Sequence, residues 1–120
     1  MKLCITSQAD SLDAEVDMRF GRCQYFLLID SDTLEFEAIK NPNISSGGGA
    51  GVKAGQLMVD RGVEVVITGN VGPNAFEVLR AAQIEIIVGV SGRVREVIER
   101  YKRGEFNSAQ GPNVNSKFGA

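Results

Sequence analysis

Two short runs, "VEVVITG" (Val63 to Gly69) and "IEIIVGV" (Ile84 to Val90), constrain this chain more than any other feature. Both are nearly continuous in β-branched residues, as expected of strands buried on both faces. Each leads through a glycine-containing break into apolar residues at helical spacing. After the first, Gly72-Pro73 opens a helix with proline in its first turn, and Ala75, Val78, Leu79 and Ala82 share a face. After the second, Ser91-Gly92 precedes a helix carrying Val94, Val97, Ile98 and Tyr101 on one face. Ser91 is a candidate cap of that helix, and Glu96–Arg100 and Glu99–Arg103 read as i,i+4 pairs on its solvated side. Doubly buried strands alternating with amphipathic helices require a parallel sheet sandwiched by helices.

The upstream half adds strands. In "KLCITS", Leu3 and Ile5 take one face and Cys4 and Thr6 the other. Residues 8–22, "QADSLDAEVDMRFGR", lack periodicity and read as a long loop in which the aspartates are solvated. "CQYFLLID" and "LEFEAIK" form a hairpin across "SDT", and Asn41-Pro42-Asn43 ends its second strand. After a run of glycines, Ala50, Ala54, Leu57 and Met58 fall at helical spacing, with Gly62 as a stop. The order β-β-β-α-β-α-β-α predicts an α/β fold with a five-stranded mixed sheet and helices on its faces. If only the middle strand of the first three is antiparallel, the 8–22 loop and all three helix N-termini gather at one sheet edge. Open α/β sheets bind ligands there. The domain is expected to span 1–104, leaving 105–120, "EFNSAQGPNVNSKFGA", as a polar, mobile tail.

Composition removes several function classes. A formal net charge of −2 suggests no broad nucleic-acid or anionic-membrane surface. The longest apolar run is too short to span a bilayer, and the first residues lack a secretory h-region, so the expected location is cytoplasmic. Histidine is absent, which excludes any Ser–His or Cys–His triad, and the two cysteines, Cys4 and Cys23, form neither a disulfide framework nor a CxxC pair.

The segment "NPNISSGGGAGVKAGQ" (Asn41 to Gln56) is the most distinctive. It fails the P-loop pattern, because Ala54 follows Lys53 where a hydroxyl is needed. Gly49-Ala50-Gly51-Val52-Lys53-Ala54 matches G-x-G-x-x-A, but it follows a hairpin strand and the next strand does not end in a ribose-binding acid, so no nucleotide is expected. A looser role remains, with glycine backbone N–H groups approaching an anion at a helix start. A plain turn is the alternative.

In "MRFGRCQYF", Arg19 and Arg22 flank Phe20-Gly21, a spacing suited to clamping an anion, and Cys23 is a candidate soft metal ligand if Arg22 favours its thiolate. The competing packing reading makes Phe20 and Tyr25 core anchors, pairs the arginines with Asp10, Asp13 or Asp17, and buries Cys23. In "TGNVGPNAF", Asn70 and Asn74 offer amide donors near Gly72. A two-metal nuclease is not expected, because the strand ends lack converging carboxylates.

Taken together, "RFGRCQYF", "SGGGAG", "VVITGNVGPNAF" and "VREVIERYKRGE" resemble the dinitrogenase iron–molybdenum cofactor biosynthesis family, which includes NifX, NafY and the C-terminal part of NifB. The resemblance implies a ribonuclease H-like three-layer fold and a non-enzymatic role in binding, storing or delivering an iron–sulfur or iron–molybdenum type cluster between donor and acceptor proteins. An adaptor that binds a small oxyanion or a partner through the same cleft is the alternative. Carried onto this sequence, the cleft comprises Arg19, Phe20, Gly21, Arg22, Cys23, Gly47, Gly48, Gly49, Gly51, Asn70, Gly72, Asn74 and Ser91, with Cys23 the candidate metal ligand. Where some relatives have histidine or cysteine beside the glycines, this chain has only serines.

Overall fold

The computed structural model describes residues 1–45 and 48–115. The strands are β1 (Lys2–Ser7), β2 (Tyr25–Asp30), β3 (Phe36–Lys40), β4 (Val65–Ile67) and β5 (Glu85–Ile87); the helices are α1 (Ala50–Asp60), α2 (Pro73–Ala81) and α3 (Val94–Lys102). The five strands form one sheet in the order β3-β2-β1-β4-β5. β2 runs antiparallel to both neighbours, whereas β1, β4 and β5 are mutually parallel. The expected α/β architecture and mixed sheet are therefore present. The connection from β2 to β3 is longer than "SDT", because Asp30 Oδ1 accepts the N–H groups of Asp32 (2.8 Å) and Thr33 (3.1 Å) and Leu34 takes a left-handed φ of 64°.

Alternation along β1 divides the core. Cys4 faces a cluster with Phe20, Cys23, Phe26, Met58, Phe76 and Leu79, beneath α1 and α2. Leu3 and Ile5 face the opposite cluster, where Val94, Val97 and Ile98 of α3 meet Leu12 and Val16 of the long loop. The loop thus completes the layer that α3 alone would leave half covered. Burying this apolar surface on both faces is the main stabilising term.

α1 and α2 pack through small residues. A Cβ on Gly51 would lie 3.2 Å from Ala75 Cβ, and one on Gly55 would lie 2.9 Å from Val78 Cγ1. The first turns of the two helices are consequently in contact. Gly62, at φ 69°, follows α1 as the sequence predicts.

The segment expected to be a mobile tail differs through Asn115. Phe106 packs against the α3-side cluster with the Arg100 guanidinium 4.8 Å over its ring, while Ala109 packs against the α2-side cluster. Between them the chain crosses the outer edge of β5, where Ala109 N–H donates to Ile86 O at 2.7 Å. Arg100 and Arg103 both pair with Glu105 instead of with Glu96 and Glu99. The apolar anchors here follow no period, so composition alone conceals them. No helix among the described residues is long and apolar enough to cross a membrane.

Candidate functional site

The carboxyl ends of β1, β3, β4 and β5 lie at one edge with the N-termini of all three helices, and the 8–24 loop is laced across it. Val16 N–H donates to Gly92 O (2.9 Å), Asp17 N–H to Thr6 O (2.9 Å) and Phe20 N–H to Asn70 O (3.1 Å). Two buried hydroxyls support this lacing: Thr6 Oγ1 donates to Asp17 O at 2.7 Å and lies 2.6 Å from Thr68 Oγ1. With its proton committed to Asp17, Thr6 accepts from Thr68.

Asp17 closes the turn that carries the arginines, its carboxylate accepting from Arg19 N (3.3 Å) and Gln24 N (3.1 Å). It is a clasp and not a solvated side chain; Asp13 instead pairs with Arg95 at 3.0 Å. Arg19 is exposed, and its guanidinium meets no partner among the described residues. Arg22 donates to Ile44 O at 3.1 Å, joining the turn to the lead-in of the glycine loop.

Asn41 holds the two segments together. Only 3% exposed, it donates from Nδ2 to Gly21 O (3.1 Å) and Cys23 O (3.0 Å), while its Oδ1 accepts from Asn43 N (2.9 Å). In the sequence it reads only as a strand terminator. Its sole local signal is the Asn-Pro-Asn turn.

Beyond this hinge, Gly49 occupies the N-cap of α1 at φ 74° with no side-chain cap. α2 starts behind Gly72 with Pro73 at its first position and likewise has no side-chain cap. Neither helix has an acidic residue in its first turn. Two adjacent sets of first-turn N–H groups therefore lack a side-chain acceptor among the described residues. Arg19, the Gly48-Gly49 backbone, Lys53 and Asn74 are exposed along the same edge.

A family model described as dinitrogenase iron–molybdenum cofactor matches residues 1–104. The chain belongs to that family. Among solved structures, it is similar to the apo form of the orange protein from Desulfovibrio gigas, with 36% identity, 94% of this chain and 96% of that one covered, and a TM-score of 0.91. It is also similar to a Thermotoga protein provisionally named NifB, at 34% identity, 89% and 91% coverage and a TM-score of 0.77. An uncharacterised protein of Methanocaldococcus jannaschii is 27% identical over 89 residues, covering 72% of this chain and 75% of that one.

The site residues expected from the family resemblance separate into those at the edge and those behind it. Arg19, Gly48, Gly49, Gly72, Asn74 and Ser91 lie along it, while Gly47 falls outside the described residues. Phe20 does not line a cleft: it is 1% exposed and meets Phe26 edge-on at 5.8 Å, as a core anchor. Gly21 is buried and serves as an acceptor for Asn41. Gly51 is inside α1, where its missing side chain admits Ala75. Asn70 spends its amide internally, donating to Met18 O at 2.9 Å and accepting from Asn113 Nδ2 at 3.1 Å. Ser91 does not cap α3; Arg93 stands at that position.

Cys23 was the candidate metal ligand, and its surroundings are those of a packed thiol. Fully buried, it sits in the core near Cys4. Burial pushes its thiol well up, with the neighbouring Cys4 and Asp17 adding to the shift, and Arg22 points instead to Ile44. Cys4 is likewise buried and raised by desolvation. In this conformation neither sulfur presents a thiolate to the cleft. Among the described residues, no three His, Cys, Asp or Glu side chains converge to hold a metal ion. The donor set of this family member at its edge is made of backbone N–H groups, amides and cations.

Proposed function

We propose that this chain binds an anionic metallocluster, of iron–sulfur or molybdenum–sulfur type, as cargo, and stores or delivers it between donor and acceptor proteins without turning it over. The observation that carries the reading is the pair of touching, uncapped first turns of α1 and α2 beside the exposed Arg19. A sulfide-rich cluster is a polyanion, and such donors suit it without a covalent ligand from the protein. We read the strand order with β2 alone antiparallel as that of the ribonuclease H-like fold. The same reading makes the protein cytoplasmic and gives it no nucleotide.

The test is an anaerobic titration of the purified chain with iron–sulfur clusters and with thiomolybdate, followed by gel filtration, absorbance and metal content. A coloured stoichiometric complex is expected. Arg19→Ala should weaken it about tenfold, the worth of a hydrogen bond to a charged group, and Cys23→Ser should leave affinity unchanged because the thiol is buried. A colourless, metal-free eluate overturns the carrier reading. Stabilisation by simple oxyanions in that case would favour the adaptor, for which the scarcity of soft ligands is the supporting observation.

A further inference from the structure

The part of the chain beyond the family match reaches the candidate site. Asn113 lies nine residues past the matched range, yet it bonds the turn that follows β4 through both ends of its side-chain amide and through its backbone N–H. Its Nδ2 donates to Gly69 O (3.0 Å) and Asn70 Oδ1 (3.1 Å), and its Oδ1 accepts the Val71 N–H at 2.8 Å. Its backbone N–H donates to Val71 O at 3.1 Å. One side chain therefore spans Gly69, Asn70 and Val71, and Val71 is paired with Asn113 through both of its backbone groups.

That turn is the junction on which the edge depends. Asn70 carries the carbonyl that holds Phe20 N–H and the amide that holds Met18 O, so it positions the arm bearing Arg19. Gly72 and Pro73 follow at once and open α2. We propose that Asn113 is a positioning residue of the anion site, fixing the 69–71 turn and through it the Arg19 arm and the start of α2. Its approach is guided by the crossing of β5, where Ala109 N–H is bonded to Ile86 O and Ser108 Oγ donates to Glu85. Occupancy of the site and docking of the 105–115 segment are then linked, and each strengthens the other by the same factor. The segment acts as a strap, since releasing it frees the 69–71 turn without unfolding the sheet.

This inference rests on the proposed anion site, and the test separates the two. Full-length wild type, Asn113→Ala and Asn113→Gln are compared by amide hydrogen exchange in the ligand-free state and by thiomolybdate titration. Thermal melts check that each variant is folded. In Asn113→Ala, exchange at Val71 should accelerate about tenfold or more, and thiomolybdate affinity should fall about three- to tenfold, the scale of one or two lost hydrogen bonds. Asn113→Gln, which keeps the amide one methylene further out, should recover part of both. Unchanged Val71 exchange in Asn113→Ala overturns the positioning role whatever the ligand does. Faster exchange with unchanged affinity overturns the link to the site. A wild type that binds neither thiomolybdate nor an iron–sulfur cluster overturns the carrier reading alone, and Val71 exchange then decides whether Asn113 holds the turn.

Discussion

Gly69→Ala is the substitution whose consequences the structure dictates most fully. A Cβ at this position would lie 2.7 Å from Met18 O, 2.8 Å from Met18 Cα and 2.5 Å from Met18 Cε. The methyl end of Met18 can swing away, but the backbone cannot do so independently. The Met18 Cα must retreat by about 0.6 Å to reach ordinary contact at 3.4 Å. Overpacking of this kind costs about 1–3 kcal/mol. The retreat also pulls on Asn70 Nδ2→Met18 O and Phe20 N→Asn70 O, which contribute about 1 kcal/mol each. Alanine returns roughly 0.4–1 kcal/mol by restricting the unfolded chain. With both bonds lost the net destabilisation is about 2–5 kcal/mol, and cost outweighs return even in the mildest combination. At about 4 °C per kcal/mol for a chain of this size, the melting temperature should fall by about 8–20 °C. Thermal circular dichroism measures that fall, and a urea titration with unchanged m-value confirms its origin in stability. Gly111→Ala is the control, because nothing lies within 4 Å of its added Cβ. A Gly69→Ala melt within about 2 °C of wild type would refute the close approach of Met18 as a determinant of the turn.

Two further outcomes follow from buried polar groups and thiols. Asn41→Ala removes the partner of two carbonyls and one N–H and should destabilise by about 2–4 kcal/mol, read as a lower urea midpoint, whereas Asn43→Ala should cost less because its side chain is only half-buried. Because burial holds the Cys4 and Cys23 thiols protonated above their ordinary value of 9.0, the folded chain binds more protons than the unfolded chain in alkali. Their contribution to stability is therefore constant below pH 9 and falls as pH rises beyond it, by about 1.4 kcal/mol per pH unit for each thiol. A Cys4→Ala/Cys23→Ala variant should lose stability less steeply between pH 9 and 11, and rapid labelling of native wild type by a thiol reagent at pH 8 would contradict the burial.

Features set by residues near in sequence are legible in the sequence itself. The 94, 97, 98 and 101 spacing is sufficient to orient α3, and Gly72-Pro73 to begin α2, because helical period and proline's fixed φ are local properties. Alternation in β1 separated Leu3 and Ile5 from Cys4 for the same reason. The site was less legible because its residues are employed across long separations. Gly51 looks like part of a glycine loop, yet what requires it is Ala75. Asn41 ends a strand in any local reading, while its three partners include carbonyls 18 and 20 residues away. Arg22 reads in the sequence as an anion clamp or as a partner of nearby acids, whereas its guanidinium donates to a backbone carbonyl 22 residues away. Glu105 drew Arg100 and Arg103 away from their i,i+4 partners because exposed ion pairs differ by only a few tenths of a kcal/mol, so a small geometric advantage decides them. Asn113 had no local signature at all, since its bonds reach back more than 40 residues.

The contact between Gly51 and Ala75 has an electrostatic consequence. Each helix start carries the equivalent of roughly half a positive elementary charge, and the missing side chain lets two such starts come within van der Waals reach. Together they present close to one full positive charge that is built into the backbone. Unlike a lysine, it has no rotamers to freeze and no proton to lose. An anion seated there would feel an attraction that salt can screen but pH cannot titrate. A bulkier residue at position 51 would spread the two half-charges apart while leaving the composition of charged side chains untouched.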